Sequence, residues 1–149
     1  MAQTYFGSTL RAGSGTLTDT TDGGFVVLSQ TTTVTTAADG SATSASVTLP
    51  AGSQIINLLV DGIVNAVAGG GTATTVPVTI GTAAAGTQYL SATNAIAGGR
   101  VALSFTTAQT AAMANIGTNQ SVVITADPNG TISTTQGVYR LTVVYAQKV

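Results

Sequence analysis

Residues 43–64, TSASVTLPAGSQIINLLVDGIV, decide the fold of this chain. The first part alternates small polar residues with Ala45, Val47 and Leu49, and such alternation predicts a strand with one buried face. A Pro-Ala-Gly-Ser sequence then breaks the pattern, because proline and glycine favour turns. Residues 54–64 follow with apolar side chains on both faces, so we expect a central strand there. Short strands separated by such turn signals are typical of a β-sandwich or a barrel.

The same pattern extends over residues 25–149. Segments rich in valine, isoleucine and threonine recur at intervals of about 8–12 residues with turn signals between them, which indicates about eight to ten short strands. We predict an all-β domain, an antiparallel β-sandwich with at most one short helix, over residues 108–116. Residues 100–105 and 120–126 are among the predicted strands. Pro77 is expected at a sheet edge or a bulge, because proline has no N–H to donate.

The N-terminal residues 1–24 differ from the rest of the chain. They interleave glycine with serine and threonine, a composition typical of extended, weakly structured segments. We interpret them as an extended arm that precedes the sandwich domain. Tyr5, Phe6, Leu10 and Arg11 are its candidate anchors on a partner. The alternative is a terminus that is loosely held, as termini often are.

Charged residues make up only 6% of the 149 residues, against about 25% in an average soluble domain. Four scattered basic residues and a net charge of −1 do not supply the basic patch that a nucleic-acid-binding protein needs. The 44% of hydrophobic residues argues against a disordered chain. A surface of threonine and serine protects strand edges poorly against pairing with other chains. We therefore expect a protein that packs against neighbours.

Export and membrane insertion are not expected. The first residues lack the basic and apolar regions of a secretory signal. The longest apolar stretch, residues 55–68, is interrupted by polar residues and is too short to span a bilayer. We expect synthesis in a cytoplasm and no membrane partner.

The residue inventory argues against an enzyme. The chain contains no histidine, cysteine or glutamate, and acid–base catalysis most often uses histidine or paired carboxylates. Lys148, the only lysine, lies near the C-terminus. Asp19 and Asp22 lack the further oxygen ligands of a calcium loop, so we expect no metal site and no cofactor. Tyr89 lies in a loop-like region and is the one candidate for an exposed sugar-binding aromatic.

Two single charges interrupt apolar strands. Asp61 lies within residues 54–64, and Arg100 begins another predicted strand. A buried charge needs a partner, so an ion pair between Asp61 and Arg100, within one subunit or between subunits, is one interpretation. The other is that both side chains face solvent.

Several short runs resemble a group of small virion proteins of tailed bacteriophages. In these proteins an LPAG-type turn leads into a strand that ends in Val-Asp, followed by a TIGTA-type strand and a strand that begins with Gly-Arg. The matching runs here are LPAGSQII (49–56), LVD (59–61), VTIGTAA (78–84) and GGRV (98–101), and the closing strand over residues 138–145 is also in character. Where similar sequences often have an acidic segment, this chain has AGTQY (85–89).

The resemblance implies a jelly-roll-like sandwich on the exterior of a phage capsid. Such proteins are typically decoration or cement proteins that form homotrimers on the major capsid protein. We therefore expect a structural virion protein with itself and the major capsid protein as partners. The alternative is a tail- or fibre-associated module that recognises a host surface.

Overall fold

Eight strands and one short helix form the part of the chain that the computed structural model describes, residues 25–114, 116 and 118–148. In chain order they are β1 (Phe25–Thr35), β2 (Thr43–Leu49), β3 (Gln54–Val64), β4 (Pro77–Gly81), β5 (Leu90–Asn94), β6 (Gly99–Arg100), α1 (Thr107–Met113), β7 (Gln120–Ala126) and β8 (Val138–Lys148). The strands form two antiparallel sheets of four strands each. The predicted all-β, sandwich-like fold with one short helix is confirmed.

The first sheet has the strand order β1-β8-β3-β6 and contains the three longest strands. Strand β8 pairs with β1 along its full length and with β3 on its other side. Strand β3 is interior, as its two apolar faces predict. A register shift between Ile55 and Asn57 marks a bulge near its beginning.

The prediction of a strand over residues 100–105 is wrong beyond its first residue. Strand β6 pairs with β3 only at Asp61↔Arg100 and Gly62↔Gly99. One further hydrogen bond, from the amide of Val101 to the carbonyl of Val60 (2.9 Å), continues the contact. The chain then leaves the edge of β3 and begins α1 a few residues later.

The second sheet has the strand order β2-β7-β4-β5. Strand β4 lies between β7 and β5, so of the two expected positions for Pro77, a sheet edge or a bulged strand, the edge does not apply. The sheet tolerates the proline because it is the first residue of the strand. A register shift between Val78 and Ile80 gives the irregularity that the proline also predicted.

The core lies between the sheets and follows the alternation of the strands. On β8, Tyr139, Leu141, Val143 and Tyr145 are buried, whereas the residues between them face outward. The opposite sheet contributes fully buried aliphatic residues. The largest of these are Leu49, Ile80, Leu90 and Ile124. A domain of this size buries about two thirds of its chain surface, so this core needs no disulfide to be stable.

Helix α1 is short but firmly anchored. Thr106 and Gln109 form a capping box, in which each side chain accepts a hydrogen bond from the other residue's backbone amide. The buried Gln109 amide also donates to the carbonyl of Thr87 (3.1 Å) and to the hydroxyl of Ser91 (3.0 Å). These bonds fix α1 beside the second sheet, with its other side next to β3.

Candidate functional site

The outer face of the first sheet is formed mainly by its three longest strands. It consists of the side chains of β1, β8 and β3 that point away from the core. Neighbouring strands align them in three rows, which are Ser29–Val144–Asn57, Thr31–Thr142–Leu59 and Thr33–Arg140–Asp61. Most of these side chains are uncharged, so the face presents hydroxyl and aliphatic groups.

Charge enters this face at one place among the side chains described. Asp61 accepts hydrogen bonds from two arginines, and we call these three residues the Asp61 cluster. The Nε of Arg100 binds Asp61 Oδ1, and the Nη2 of Arg140 lies 3.1 Å from Asp61 Oδ2. The pairs form because strands β6 and β8 flank β3 with Arg100 and Arg140 both opposite Asp61.

The carboxylate of the cluster is the more protected partner. The side chain of Asp61 is 16% exposed, against 57% for Arg100 and 46% for Arg140. The hydrogen bond from Arg100 lowers the pKa of Asp61 below its ordinary value, while partial burial acts in the opposite direction. Asp61 is therefore ionised at neutral pH, and the cluster carries a net charge of about +1. Such a group can bind an acidic partner but cannot exchange protons near neutrality.

The structure brings together two of the residues that the sequence singled out. Asp61 and Arg100 form an ion pair within one chain. The side chain of Arg100 is largely exposed to solvent. Arg140 is the member that sequence reasoning missed. Its outward position on the last strand was readable from alternation, but its register against β3 was not. The arm residues Tyr5, Phe6, Leu10 and Arg11 lie outside the described residues.

Large apolar side chains are exposed at three places around the first sheet. Val27 and Leu28 lie on β1, while Ile56 and Phe105 lie near the beginning of β3. The third group, which we call the apolar rim, lies at the end of β3 and just after it, and consists of Ile63, Val64 and Val67. Exposed aliphatic groups next to an uncharged face favour protein–protein contact over binding of a charged ligand.

Two expectations about ligand sites, for a metal ion and for a sugar, concern residues that the structure describes. No group of three or more metal-binding side chains occurs among them. Tyr89, the candidate aromatic platform, is only 3% exposed, so that expectation is wrong: the residue pairs with Ile80 through its backbone and packs inward. Among the same residues, no helix is long and apolar enough to cross a membrane.

Comparison with known proteins identifies no relative of this chain. No family model matches it, and neither does any curated protein or any solved structure. The resemblance of residues 48–101 to phage virion proteins therefore stays a prediction from short motifs. A function has to be inferred from the outer face, the Asp61 cluster and the apolar rim.

Proposed function

We propose that this protein is a capsid decoration or cement subunit, a structural virion protein that binds the outside of a phage head and stabilises the shell. The observation that carries the proposal is the outer face of the first sheet, which is broad, almost uncharged and bordered by exposed aliphatic side chains. A face of this kind can bury itself against protein without the desolvation cost of many charges. Its partners would be further copies of the chain, as a homotrimer, and the major capsid protein.

Binding alone is sufficient for this function. A subunit that binds the assembled shell better than its separate components shifts the equilibrium towards the assembled state. The contribution per subunit needs only the burial of apolar area, at about 25 cal/mol for each Å² removed from water. Many copies then add their contributions. No reactive group is required, which fits the chemistry of the described surface.

We also propose that the sandwich is a jelly roll. Its strands pair in a nested order, β1 with β8, β2 with β7, β3 with β6 and β4 with β5. Such nesting results when one long antiparallel hairpin, with its tip between β4 and β5, is wound into two sheets. Eight-stranded jelly rolls recur in viral capsid proteins and in lectins. The nested order therefore supports a virion protein, and it fits a surface-recognition module equally well.

Counting the copies of the protein on purified particles tests the proposal. We expect hundreds of copies on the head, measured by quantitative gel and located by cryo-EM. A handful of copies at the tail would contradict a cement function and favour the tail- or fibre-associated module. Absence from the particle would contradict both.

A pair of lysine variants tests which face binds. Thr31→Lys places a charge in the middle row of the outer face, where Thr31 lies beside Thr142. Ala84→Lys places the same charge on an exposed loop of the second sheet and is the matched control. We expect Thr31→Lys to reduce the occupancy of the head at least about tenfold, a loss of roughly 1.4 kcal/mol. Equal occupancy of the two variants would rule out the outer face as the contact.

A further inference from the structure

Strand β1 forms one edge of the first sheet, and this edge is long and regular. Its 11 residues, FVVLSQTTTVT, pair with β8 without a register shift and include neither a charge nor a proline. Proteins usually protect an edge strand against pairing with other chains by a charge, a proline, a bulge, a short length or a covering element. Strand β1 has none of the first four protections.

The other edge strands of the described sheets are shorter, and two of them carry hydrogen bonds from neighbouring elements. Strand β6 has two residues, and β5 has five. The hydroxyl of Ser91 on β5 accepts a hydrogen bond from Gln109 of α1 (3.0 Å). On β2, the carbonyl of Thr48 accepts one from the side chain of Gln30 (3.2 Å). Among these strands, β1 is therefore the edge best suited to accept a further strand.

The hydrogen bonds at the end of β1 show which of its backbone groups face the open side. The amide of Thr36 donates to the carbonyl of Gly137 (2.9 Å), the residue opposite it where the ladder with β8 continues. In an antiparallel ladder, successive residues alternate between bonding to this neighbour and facing away from it. The even-numbered residues of β1 therefore bond to β8, and the odd-numbered ones face the open edge. The carbonyl of Thr35 agrees, since it accepts from the hydroxyl of Thr43 (2.7 Å), which lies outside the first sheet.

Four residues of β1 direct their backbone groups to this open edge, namely Val27, Ser29, Thr31 and Thr33. Each contributes one amide and one carbonyl. No other strand of the described residues pairs with this side of β1. A row of unpaired groups of this kind is a template on which a strand of another chain can add.

The exposed side chains of β1 indicate a strand, not a flat surface, as the missing neighbour. Val27 is 62% exposed and points to the outer face. Leu28 is 42% exposed and points to the opposite face, because it shares the orientation of the buried Val34. A surface that lay against the outer face would cover Val27 alone. A strand beside β1 brings side chains to both faces and covers both residues.

We propose that the added strand is β1 of a second copy, paired antiparallel across a two-fold axis. In such a contact each residue lies opposite a residue of the same segment, so a charged strand would repel its own copy. Strand β1 carries no charge, and its threonine, serine and valine residues form favourable cross-strand pairs. An axis at Leu28 places the two exposed leucines opposite each other and Val27 opposite Ser29.

The pairing joins two four-stranded sheets into one antiparallel sheet of eight strands. Because the axis is perpendicular to the sheet, the two outer faces lie on the same side and form one continuous surface. The contact uses a strand edge and not the outer face, so it goes beyond the proposed binding to a capsid. It joins two copies and is therefore additional to a three-fold contact within a homotrimer.

Amide hydrogen exchange in the isolated full-length protein tests the proposal residue by residue. Pairing with β8 protects the even-numbered amides, such as those of Leu28 and Gln30, at every protein concentration. Pairing with a second copy protects the amides of Val27, Ser29 and Thr31 only when copies associate. We expect exchange at these three amides, measured by NMR, to slow at least about tenfold from dilute to concentrated protein.

Two results of the exchange measurement would overturn the proposal. Protection of the odd-numbered amides that did not depend on concentration would assign the edge to a segment of the same chain. Rapid exchange of these amides at every concentration would show that no strand adds to β1.

The variant Ser29→Pro blocks the edge and leaves the ladder with β8 intact. The amide of Ser29 faces the open side, so proline removes no hydrogen bond between β1 and β8 but prevents an added strand. Ser29→Ala keeps the amide and is the matched control. We expect Ser29→Pro to halve the mass of the associated protein in light scattering, with unchanged circular dichroism, and Ser29→Ala to retain it. Equal masses of the two variants would contradict the pairing.

Cysteine cross-linking gives a measurement that does not depend on the folding of Ser29→Pro. The chain contains no cysteine, so one introduced cysteine reports only contact with its own copy. Leu28→Cys lies on the proposed axis, where opposed residues that exchange no hydrogen bonds have Cα atoms about 4.5 Å apart, within reach of a disulfide. Thr142→Cys, on the outer face of the interior strand β8, is the control.

After mild oxidation we expect at least about tenfold more disulfide-linked dimer from Leu28→Cys than from Thr142→Cys, because only the pairing of β1 brings Leu28 next to its copy. An equal or larger yield from Thr142→Cys would overturn the pairing of β1 strands. All three experiments use the isolated protein, so their failure is distinguishable from failure to find the protein on capsids.

Discussion

The two halves of strand β3 share one sequence pattern but have different surroundings. Within residues 60–64, Asp61 and Gly62 are paired on both sides, by β8 and by β6, and the outward charge of Asp61 is held by two arginines. Among the described strands, residues 54–58 are paired by β8 alone, and they open into a groove beside helix α1. Each half exposes an isoleucine to the same extent, 53%.

The difference shows that neighbouring elements, not the strand itself, decide what each half does. The inward residues of both halves, among them Ile55, Leu58 and Val60, are buried in the same core. Whether the outward side chains and the edge backbone groups of β3 have a partner depends on whether β6 lies beside them. The closed half is therefore held between two neighbouring strands, whereas the open half has a strand neighbour on one side only among the described residues.

The largest effect is expected on the inward side, where the two halves are alike. Leu58 is 2% exposed and packs in the core, so Leu58→Ala removes buried methyl groups and leaves a cavity. We expect it to lower the free energy of unfolding by about 2–4 kcal/mol, measured by urea denaturation. The adjacent Leu59 points to the outer face and is only partly buried. Leu59→Ala should cost less than about 1 kcal/mol, and equal losses would contradict the described alternation.

The close contact between β3 and β6 in the closed half gives the next largest effect. A Cβ added at Gly62 would lie 2.5 Å from the Cα of Gly98, which is backbone and cannot rotate away. We expect Gly62→Ala to lower the free energy of unfolding by about 1–3 kcal/mol, because the strands have to separate.

Gly70→Ala is the matched control for that variant. The nearest atom to a Cβ at Gly70 is the Oγ of Ser133 at 3.7 Å, an ordinary contact. Its effect should stay within about 0.5 kcal/mol. If Gly62→Ala lowered the free energy of unfolding no more than Gly70→Ala, the contact of β3 with Gly98 and β6 would not be close. The two halves of β3 would then differ less than described.

Tyr139 pairs with Gly62 across strands β8 and β3. Its replacement should change the free energy of unfolding by a smaller amount and in the opposite direction. Its side chain is fully buried, and its hydroxyl has no hydrogen-bond partner among the described residues. Tyr139→Phe removes this unsatisfied group and should raise the free energy of unfolding by about 1 kcal/mol at neutral pH. A loss of stability would show that the hydroxyl has a partner.

The same residue predicts a dependence on alkaline pH. Burial raises the pKa of Tyr139 to about 12, from an ordinary value of 10.0. The unfolded chain therefore releases this proton first, so the free energy of unfolding is unaffected by this group below about pH 10 and falls as the pH rises from there towards 12. Denaturation curves at increasing pH should show a steeper loss for the natural protein than for Tyr139→Phe. Parallel curves would contradict the raised pKa.

Alternation along the chain predicts much of the fold. The bounds of β2, β3 and β7 agree with those expected from the sequence, because each strand has at least one continuous buried face. Strand β6 is shorter than the alternation of the sequence predicts. Val101 and Leu103 alternate as a strand would, yet the ladder ends at Arg100 because the chain turns away to begin α1. That path depends on the packing of α1, which no local pattern records.

The candidate site is predictable only in part, for a similar reason. Asp61 and Arg100 stand out as charges in apolar segments, and they do meet. Arg140 joins them through the register of β8 against β3, and register is a property of the whole sheet. The groove beside α1 is still less predictable, since it is formed by a strand edge and a helix about fifty residues apart in the chain.

The smallest effect is expected at the Asp61 cluster, where the closed half meets solvent. Asp61→Asn leaves Arg100 and Arg140 side by side without the carboxylate that joins them. Because both arginines are about half exposed, solvent screening limits the loss to about 0.5–1 kcal/mol at neutral pH and low salt.

Acid pH separates this loss from a packing defect. The pKa of Asp61 is lowered in the folded chain, so its contribution is complete above the unfolded value of 3.8 and is lost as the pH falls through the lowered folded value. The difference between the natural protein and Asp61→Asn should therefore shrink as the pH falls below 3.8 and vanish once Asp61 is protonated in the folded chain as well. The pKa of Asp39 is lowered too, but its contribution is the same in both proteins and cancels. A difference that persisted in acid would mean that Asp61 stabilises β3 through packing, and the charge contrast between the two halves would then be wrong.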